Sequence, residues 1–408
     1  MKYYLIAGEA SGDLHGSLLM RALAARDPQA QFRFRGGEKM AAVGGEMAHD
    51  YRDTAVMGIV EVLAKAGEVR RNLAACKADI ERWRPDVVIL IDYPGFNLKI
   101  ARFAHGRGFK VFYYIAPKVW ASREGRLKQL RQYVDRLFVI FPFEVDWFCS
   151  RGLEPVYEGN PLVDYIDEVL AAAPSREAFL LGNGLDSRPV IALLPGSRMQ
   201  EIKFLAPRFK ALASDARFAG CQFVIAGAPG VDAAVYQQFF GNGDGTSVAG
   251  SNCEADNPNG AGCSGEGCNA SGAIRPGLSI PVIYGQTYQL LKHSAAAAVA
   301  SGTASFEAAV IGTPQVVCYG MNPLTWRIAI SILKVPYVSL ANLIMGRLIF
   351  KELLQDACTP AAVADELLRL ASDADYRDGM LQQYASLRQR IGASGSATRI
   401  ADAIKSSI

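Results

Sequence analysis

The chain has 408 residues, half of them hydrophobic, with 43 Lys plus Arg against 40 Asp plus Glu and a formal net charge of +3. That length accommodates roughly two to three cores, and so small a charge excludes a polyanion-coating protein, so no nucleic-acid partner is expected. The eight cysteines stand mostly singly among apolar residues, which argues against a disulfide framework, and no apolar run reaches the roughly 18 residues of a membrane span, Lys334 and Pro336 breaking "IAISILKVPYVSLANLIM".

The opening "MKYYLIAGEASGD" is an apolar run of strand length (3–8) leading into a Gly/Ser turn. It lacks a signal-peptide cleavage site, so a cytoplasmic protein is expected. In "IAGEASGDLHG" (6–16) the glycines let backbone approach a ligand, while Glu9, Ser11, Asp13 and His15 supply polar groups. The pattern is not GxGxxG, so no dinucleotide cofactor is expected. His15 is either a base or a local hydrogen-bond donor. A helix is predicted from Asp13 to Ala25 and a strand at "FRFRG" (32–36). "VMGIVEVLAKAGEV" (56–69) carries a wider apolar surface than one core stripe needs, and serves either as core or as a docking surface.

The strand "DVVILID" (86–92) runs into "LIDYPGFN" (90–97), placing Asp92 at the carboxyl end of a strand, the edge on which ligands of open parallel sheets sit. An Asp there either takes a proton from an attacking hydroxyl or caps the following turn. A helix is expected from Leu98 to Arg107, then a strand at "KVFYYIA" (110–116). Lys118, Arg123, Arg126, Lys128, Arg131 and Arg136 crowd the next segment, facing either anionic headgroups or solvent. "RLFVIF" (136–141) and "PVYEG" (155–159) end the first series. In "EGNPLVDYI" (158–166) Gly-Asn-Pro stops a strand and a helix carries the chain across.

A second series follows: "PVIALLPGS" (189–197), "QFVIAGA" (222–228), "IPVIYG" (280–285), "AAAAVAS" (295–301) and "PQVVCYG" (314–320). In "ALLPGSRMQEI" (192–202) Arg198 lies on a tight turn and Glu201 in the first helical turn. Arg198 either clamps a phosphate or pairs with Glu201 at i,i+3. Between the strands, 241–277 holds ten glycines and almost no large apolar residues, so a disordered loop is expected there. Its Cys253, Cys263 and Cys268 lack a Cys-x-x-Cys pair and any histidine, so no metal is expected. His49, His105 and His293 show no ligand or nucleophile spacing.

With a strand at 295–300 and a helix at 303–311, Ser301, Gly302 and Thr303 form a helix N-terminus, where free amides and the dipole favour a phosphate. Glu307, one turn on, leans back towards the same mouth and suits the paired hydroxyls of a ribose. The alternative is a capping Ser301 and a solvated Glu307. After Thr359 the pattern is helical. The whole reads as α/β, two doubly wound parallel-sheet units in tandem: 1–164, 165–358 with the loop 241–277, and helices over 359–408.

"AGEASGD" (7–13), "MGIVEVL" (57–63), "IDYPGFN" (91–97), "YYIAPKVWA" (113–121), "LLPGSRMQEI" (193–202), "ASGTASFEAA" (300–309) and "YVSLANLIMGR" (337–347) with "ELLQ" (352–355) resemble the lipid-A-disaccharide synthase family, in that family's order and over nearly the whole chain. The resemblance implies a GT-B glycosyltransferase, two Rossmann-like domains facing across a cleft, needing neither metal nor cofactor. It implies that UDP-2,3-diacylglucosamine is joined to 2,3-diacylglucosamine 1-phosphate in an inverting reaction, giving a β-1,6 disaccharide and UDP. Arg198, Ser301, Gly302, Thr303 and Glu307 would hold UDP, with Asn342 and Gln355 near the donor and Glu201 counted among the substrate-binding residues. Glu9, Ser11 and Asp13 would line the acceptor side, with Asp92 as base, Glu9 and Asp13 beside it in the catalytic set, and His15 and Asn97 among the substrate-binding residues. Segment 56–69 would dock on the inner-membrane surface, and the 359–408 helices would pack back towards the first domain. A homodimer is compatible with this reading. Gly95 stands where some members carry Asp, and Asn160 where many carry His.

Overall fold

The computed structural model describes residues 1–54, 66–120, 124–241, 280–322, 326–327, 336–392 and 394–408. Segment 56–69 up to residue 65, Arg123, and the loop 241–277 beyond Gly241 with its three cysteines lie outside the described residues.

The first half alternates β1 (Lys2–Ile6), α1 (Ala10–Arg26), β2 (Gln31–Gly36), α2 (Glu38–Val43), β3 (Glu46–Asp50), α3 (Ala66–Trp83), β4 (Val87–Ile91), α4 (Pro94–Gly106), β5 (Lys110–Tyr114), α5 (Leu127–Tyr133), β6 (Arg136–Val139), α6 (Pro142–Cys149) and β7 (Pro155–Tyr157). Its seven strands are parallel, in the order β3-β2-β1-β4-β5-β6-β7. Strands such as Val87–Ile91 are buried throughout, as continuous apolar runs must be in a sheet covered on both faces. Tyr3, Leu5 and Ile89 feed one core, while Tyr4, Ile6 and Val88 feed the other.

The chain then crosses on α7 (Pro161–Ala171), whose N-cap Asn160 accepts from the Leu162 amide at 3.0 Å, with Pro161 at its first position. The second half follows with α8 (Arg176–Gly182), β8 (Val190–Leu194), α9 (Met199–Ala213), β9 (Gln222–Gly227), α10 (Ala233–Phe240), β10 (Val282–Tyr284), α11 (Thr287–His293), β11 (Ser294–Ala300), α12 (Thr303–Ile311), β12 (Gln315–Tyr319), α13 (Leu340–Met345) and β13 (Glu352–Leu354). Its sheet is also parallel, in the order β10-β9-β8-β11-β12-β13. Both sheets therefore reverse their winding once, between β1 and β4 and between β8 and β11. Ligands of open α/β sheets bind at that crevice, outside the carboxyl ends of the strands.

Three helices close the chain: α14 (Pro360–Ser372), α15 (Ala374–Ile391) and α16 (Ser396–Ser406). The first two pack on the second half, and α16 returns to α1 and α7. There Arg26 pairs with Asp402 (2.7 Å), and Asp164 accepts from the amides of Gly395 (2.6 Å) and Ala397 (3.0 Å). One apolar cluster runs through both halves, with Phe141 set edge-on against Phe306 at 5.8 Å.

Helix α1 begins at Ala10, three residues before the sequence indicated, because Glu9 takes the N-cap conformation and its carbonyl accepts from Asp13 N at 2.9 Å. Helix α4 likewise starts at Pro94, fixed by the proline at its first position.

Candidate functional site

An open cleft lies where the halves meet. Its first wall carries Glu9, Ser11 and His15 after β1, Asp92 after β4, Ile115 and Lys118 after β5, Phe141 after β6 and Asn160 after β7; Thr303, Phe306 and Leu340 form the other. Every first-wall residue follows the carboxyl end of its strand, as the winding of the sheet requires.

The Asp92 junction is strained and held. Asp92 (φ 41°) and Tyr93 (φ 47°) are both left-handed, a conformation costing about 1–3 kcal/mol per non-glycine residue. The Asp92 carbonyl accepts from Asn97 Nδ2 (2.8 Å) and Tyr113 Oη (2.7 Å), which fix the turn. Tyr93 lies against Gly8 so closely that a Cβ there would clash with its ring. Burial raises the Asp92 carboxyl above its ordinary value; Lys118 opposes this and Glu9 adds to it. Burial, with Lys118 nearby, lowers His15 to about 4, so its ring is neutral at physiological pH, and its buried Nδ1 has no hydrogen-bond partner. Glu9 receives Ser11 Oγ at 2.6 Å.

In the second half, Arg198 follows β8 and Ser301–Thr303 follow β11, so the two junctions flank the reversal of that sheet. Helix α12 has no side-chain cap, leaving its first-turn amides for an external acceptor. The Ser301 amide is not among them: it donates to Cys318 O at 3.2 Å, so the expected grip falls to Gly302, Thr303 and Ala304. Glu307 accepts from Tyr288 Oη at 2.8 Å; burial raises its carboxyl and this hydrogen bond opposes the rise.

Several expected site residues do other work. Asp13 is buried, and its carboxylate accepts from the amides of Gly37 (2.8 Å), Lys39 (3.0 Å) and Met40 (3.1 Å), so it caps α2 and is no catalytic group. Asn97 is buried, tying Asp92 O and Ile91 O, and does not reach the cleft. Glu201 closes the α9 N-terminus, accepting from the amides of Ser197 (3.1 Å) and Arg198 (3.3 Å) as well as from the exposed Arg198 guanidinium (3.3 Å). Asn342 is wholly internal, bound to Phe350 O, Glu352 and the Ile349 amide, so it braces the turn before β13. Gln355, at φ 52°, pairs its amide with both backbone groups of Met321 at 3.1 Å. Arg198, Ser301, Gly302 and Glu307 lie off the cleft lining, leaving Thr303 as the expected donor residue that reaches it.

Lys118 belongs to a basic cluster by sequence, yet among the described members of that cluster it is the one that lines the cleft; its place directly after Pro117, just past a strand, is the local signal. Tyr288 gave no local signal, being 19 residues from the carboxylate it holds. Among the described residues, no group of three His, Cys, Asp or Glu could hold a metal, and no helix is long and apolar enough to cross a membrane.

Solved structures share this architecture end to end. UDP-GlcNAc 2-epimerase from Neisseria meningitidis bound to UDP-GlcNAc has a TM-score of 0.61 at 11% identity, each chain fully covered. The calicheamicin glycosyltransferase has 0.53 at 17%, covering 99% of this chain and 97% of that one. Two parallel Rossmann-like sheets facing across a cleft make this a GT-B fold. The lipid-A-disaccharide synthetase family profile matches residues 3–225 and 271–403. Lipid-A-disaccharide synthase of Myxococcus xanthus is 36% identical over 403 residues, covering 98% of this chain and 96% of that protein. The Geobacter metallireducens synthase is 34% identical over 401 residues, covering 97% and 94%. The chain belongs to the lipid-A-disaccharide synthetase family and is a glycosyltransferase.

Proposed function

We propose that the cleft joins the glucosamine unit of UDP-2,3-diacylglucosamine to the 6-hydroxyl of 2,3-diacylglucosamine 1-phosphate, yielding the β-1,6 disaccharide 1-phosphate and UDP. The observation that carries this is the placing of Asp92 and the α12 N-terminus on opposite walls of one cleft. The acceptor oxygen bonds to the anomeric carbon while the bond from that carbon to the diphosphate breaks. The electron pair leaves with UDP and the hydroxyl proton passes to Asp92. In-line attack inverts the centre. The free α12 amides stabilise the charge gathering on the leaving diphosphate; a donor extending from Thr303 past the cleft lining towards the β8 junction brings its phosphates to Arg198 and its ribose to Glu307, while Glu9 and Ser11 orient the acceptor. No step calls for a metal. Segment 56–69 brings the protein to the inner-membrane surface, where both acylated substrates lie.

The test is to incubate purified protein with both substrates in detergent and detect the disaccharide phosphate by mass. Asp92→Asn should lower turnover by about 10²–10⁴. UDP released without acceptor would make the protein a hydrolase, and conversion of free UDP-GlcNAc would make it an epimerase.

A further inference from the structure

The loop after β5 is built to hold one side chain in the cleft. Ile115 opens it in the left-handed region (φ 64°), a strained setting for a β-branched residue. Ala116 N then donates to Phe138 O (3.0 Å), Val119 N to Pro117 O (2.6 Å), and Trp120 Nε1 to Glu144 Oε1 (2.9 Å). Glu144 is itself fixed, its other oxygen accepting from the amides of Ile140 (3.2 Å) and Phe141 (3.1 Å). Val119 and Trp120 are buried, and Lys118 before them is exposed on the cleft, with no hydrogen bond or ion pair among the described residues. Its charge is felt at His15, Asp92 and Glu144. His15, on the same wall, is 7% exposed, and its Nδ1 has no partner.

An unpaired ammonium on a braced loop suits a phosphate, and a neutral imidazole lining the same wall brings no negative charge to compete with it. Asp92 and Glu9 repel an anion from the rest of that wall, which confines it to the Lys118 end.

We infer that Lys118 receives the phosphate monoester of the acceptor and sets a preference for phosphorylated over neutral acceptors. The inference rests on the transferase reading above. That reaction offers two phosphate sources, the donor diphosphate and the acceptor monoester. The helix terminus and Arg198 that suit the donor belong to the second half, whereas Lys118 stands on the first.

The test compares initial rates for wild type, Lys118→Gln and Lys118→Arg at saturating donor, using diacylglucosamine 1-phosphate and the same sugar without phosphate, with UDP affinity measured by calorimetry as the check on folding. Wild type should favour the phosphorylated acceptor at least tenfold in kcat/KM. Lys118→Gln should raise KM for that acceptor about tenfold, leave the neutral acceptor and UDP affinity unchanged, and be largely rescued by Lys118→Arg. Equal losses with both acceptors, joined to an upward shift of the acid limb of the pH profile, would overturn the inference and assign Lys118 to keeping Asp92 ionised. Weakened UDP binding would assign it to the donor, and unaltered kinetics would leave it no role; either overturns the inference. If wild type makes no disaccharide, the transferase reading itself falls, and this inference with it.

Discussion

Asp92 combines a strained backbone, two hydrogen bonds holding its carbonyl and a carboxyl raised by burial, features that gather where surroundings dictate a geometry the residue would not choose. A base must be ionised to accept a proton, so kcat/KM should fall as pH drops through a limb lying above the ordinary aspartate range. A limb at ordinary aspartate values would show that burial does not govern this group. His15 has the opposite sign. Its lowered value, about 4, keeps the native ring neutral while an unfolded chain protonates below about 6.5, so its contribution to stability is lost as pH falls through that window. Its ring resonances should therefore stay unshifted in NMR spectra between pH 8 and 5; a midpoint near 6.5 would contradict its burial. The sequence marked polar residues at the right strand ends but could not show what each one faces. Asp13 reads as a ligand because the backbone groups it holds lie 24 to 27 residues away, out of sight of any local pattern; Asn342, which the family resemblance alone put near the donor, holds backbone groups 7 and 8 residues on.

Helix α2 is six residues long and ends at Gly44, so little besides the Asp13 carboxylate holds its first turn. Asp13→Ala should cost about 2–3 kcal/mol, seen as a lower thermal midpoint, while folded protein keeps its turnover. Lost turnover at an unchanged midpoint would return Asp13 to the catalytic set. The same logic explains which elements were legible. Strands such as Val190–Leu194 are buried apolar runs and can be read directly. Strand β3, Glu46–Asp50, is a partly exposed edge strand with polar residues at both ends, and β13 has three residues; both exist through pairing with β2 and β12. The α12 boundaries matched the sequence reading because a Ser-Gly-Thr start and a left-handed Gly312 end are local signals.

At the scale of the molecule, the likeness to both epimerases and glycosyltransferases shows that this architecture does not choose a reaction; the family relationship does. The halves are joined by α7 and again where α16 returns to α1, with Asp164 of α7 holding the start of α16. Asp164→Ala should lower the thermal midpoint by a few degrees and speed proteolysis just ahead of α16; unchanged protease sensitivity would mean the second crossing is held by its apolar contacts alone. The account stands on a division of labour across the cleft: the second half grips UDP and the first takes the proton. Calorimetric titration of UDP into Glu307→Ala and Asp92→Asn, with turnover measured on the same preparations, tests it most directly. Glu307→Ala should weaken UDP about tenfold or more, while Asp92→Asn binds UDP within about twofold of wild type and is nearly inactive. Equal weakening by both substitutions would contradict the account.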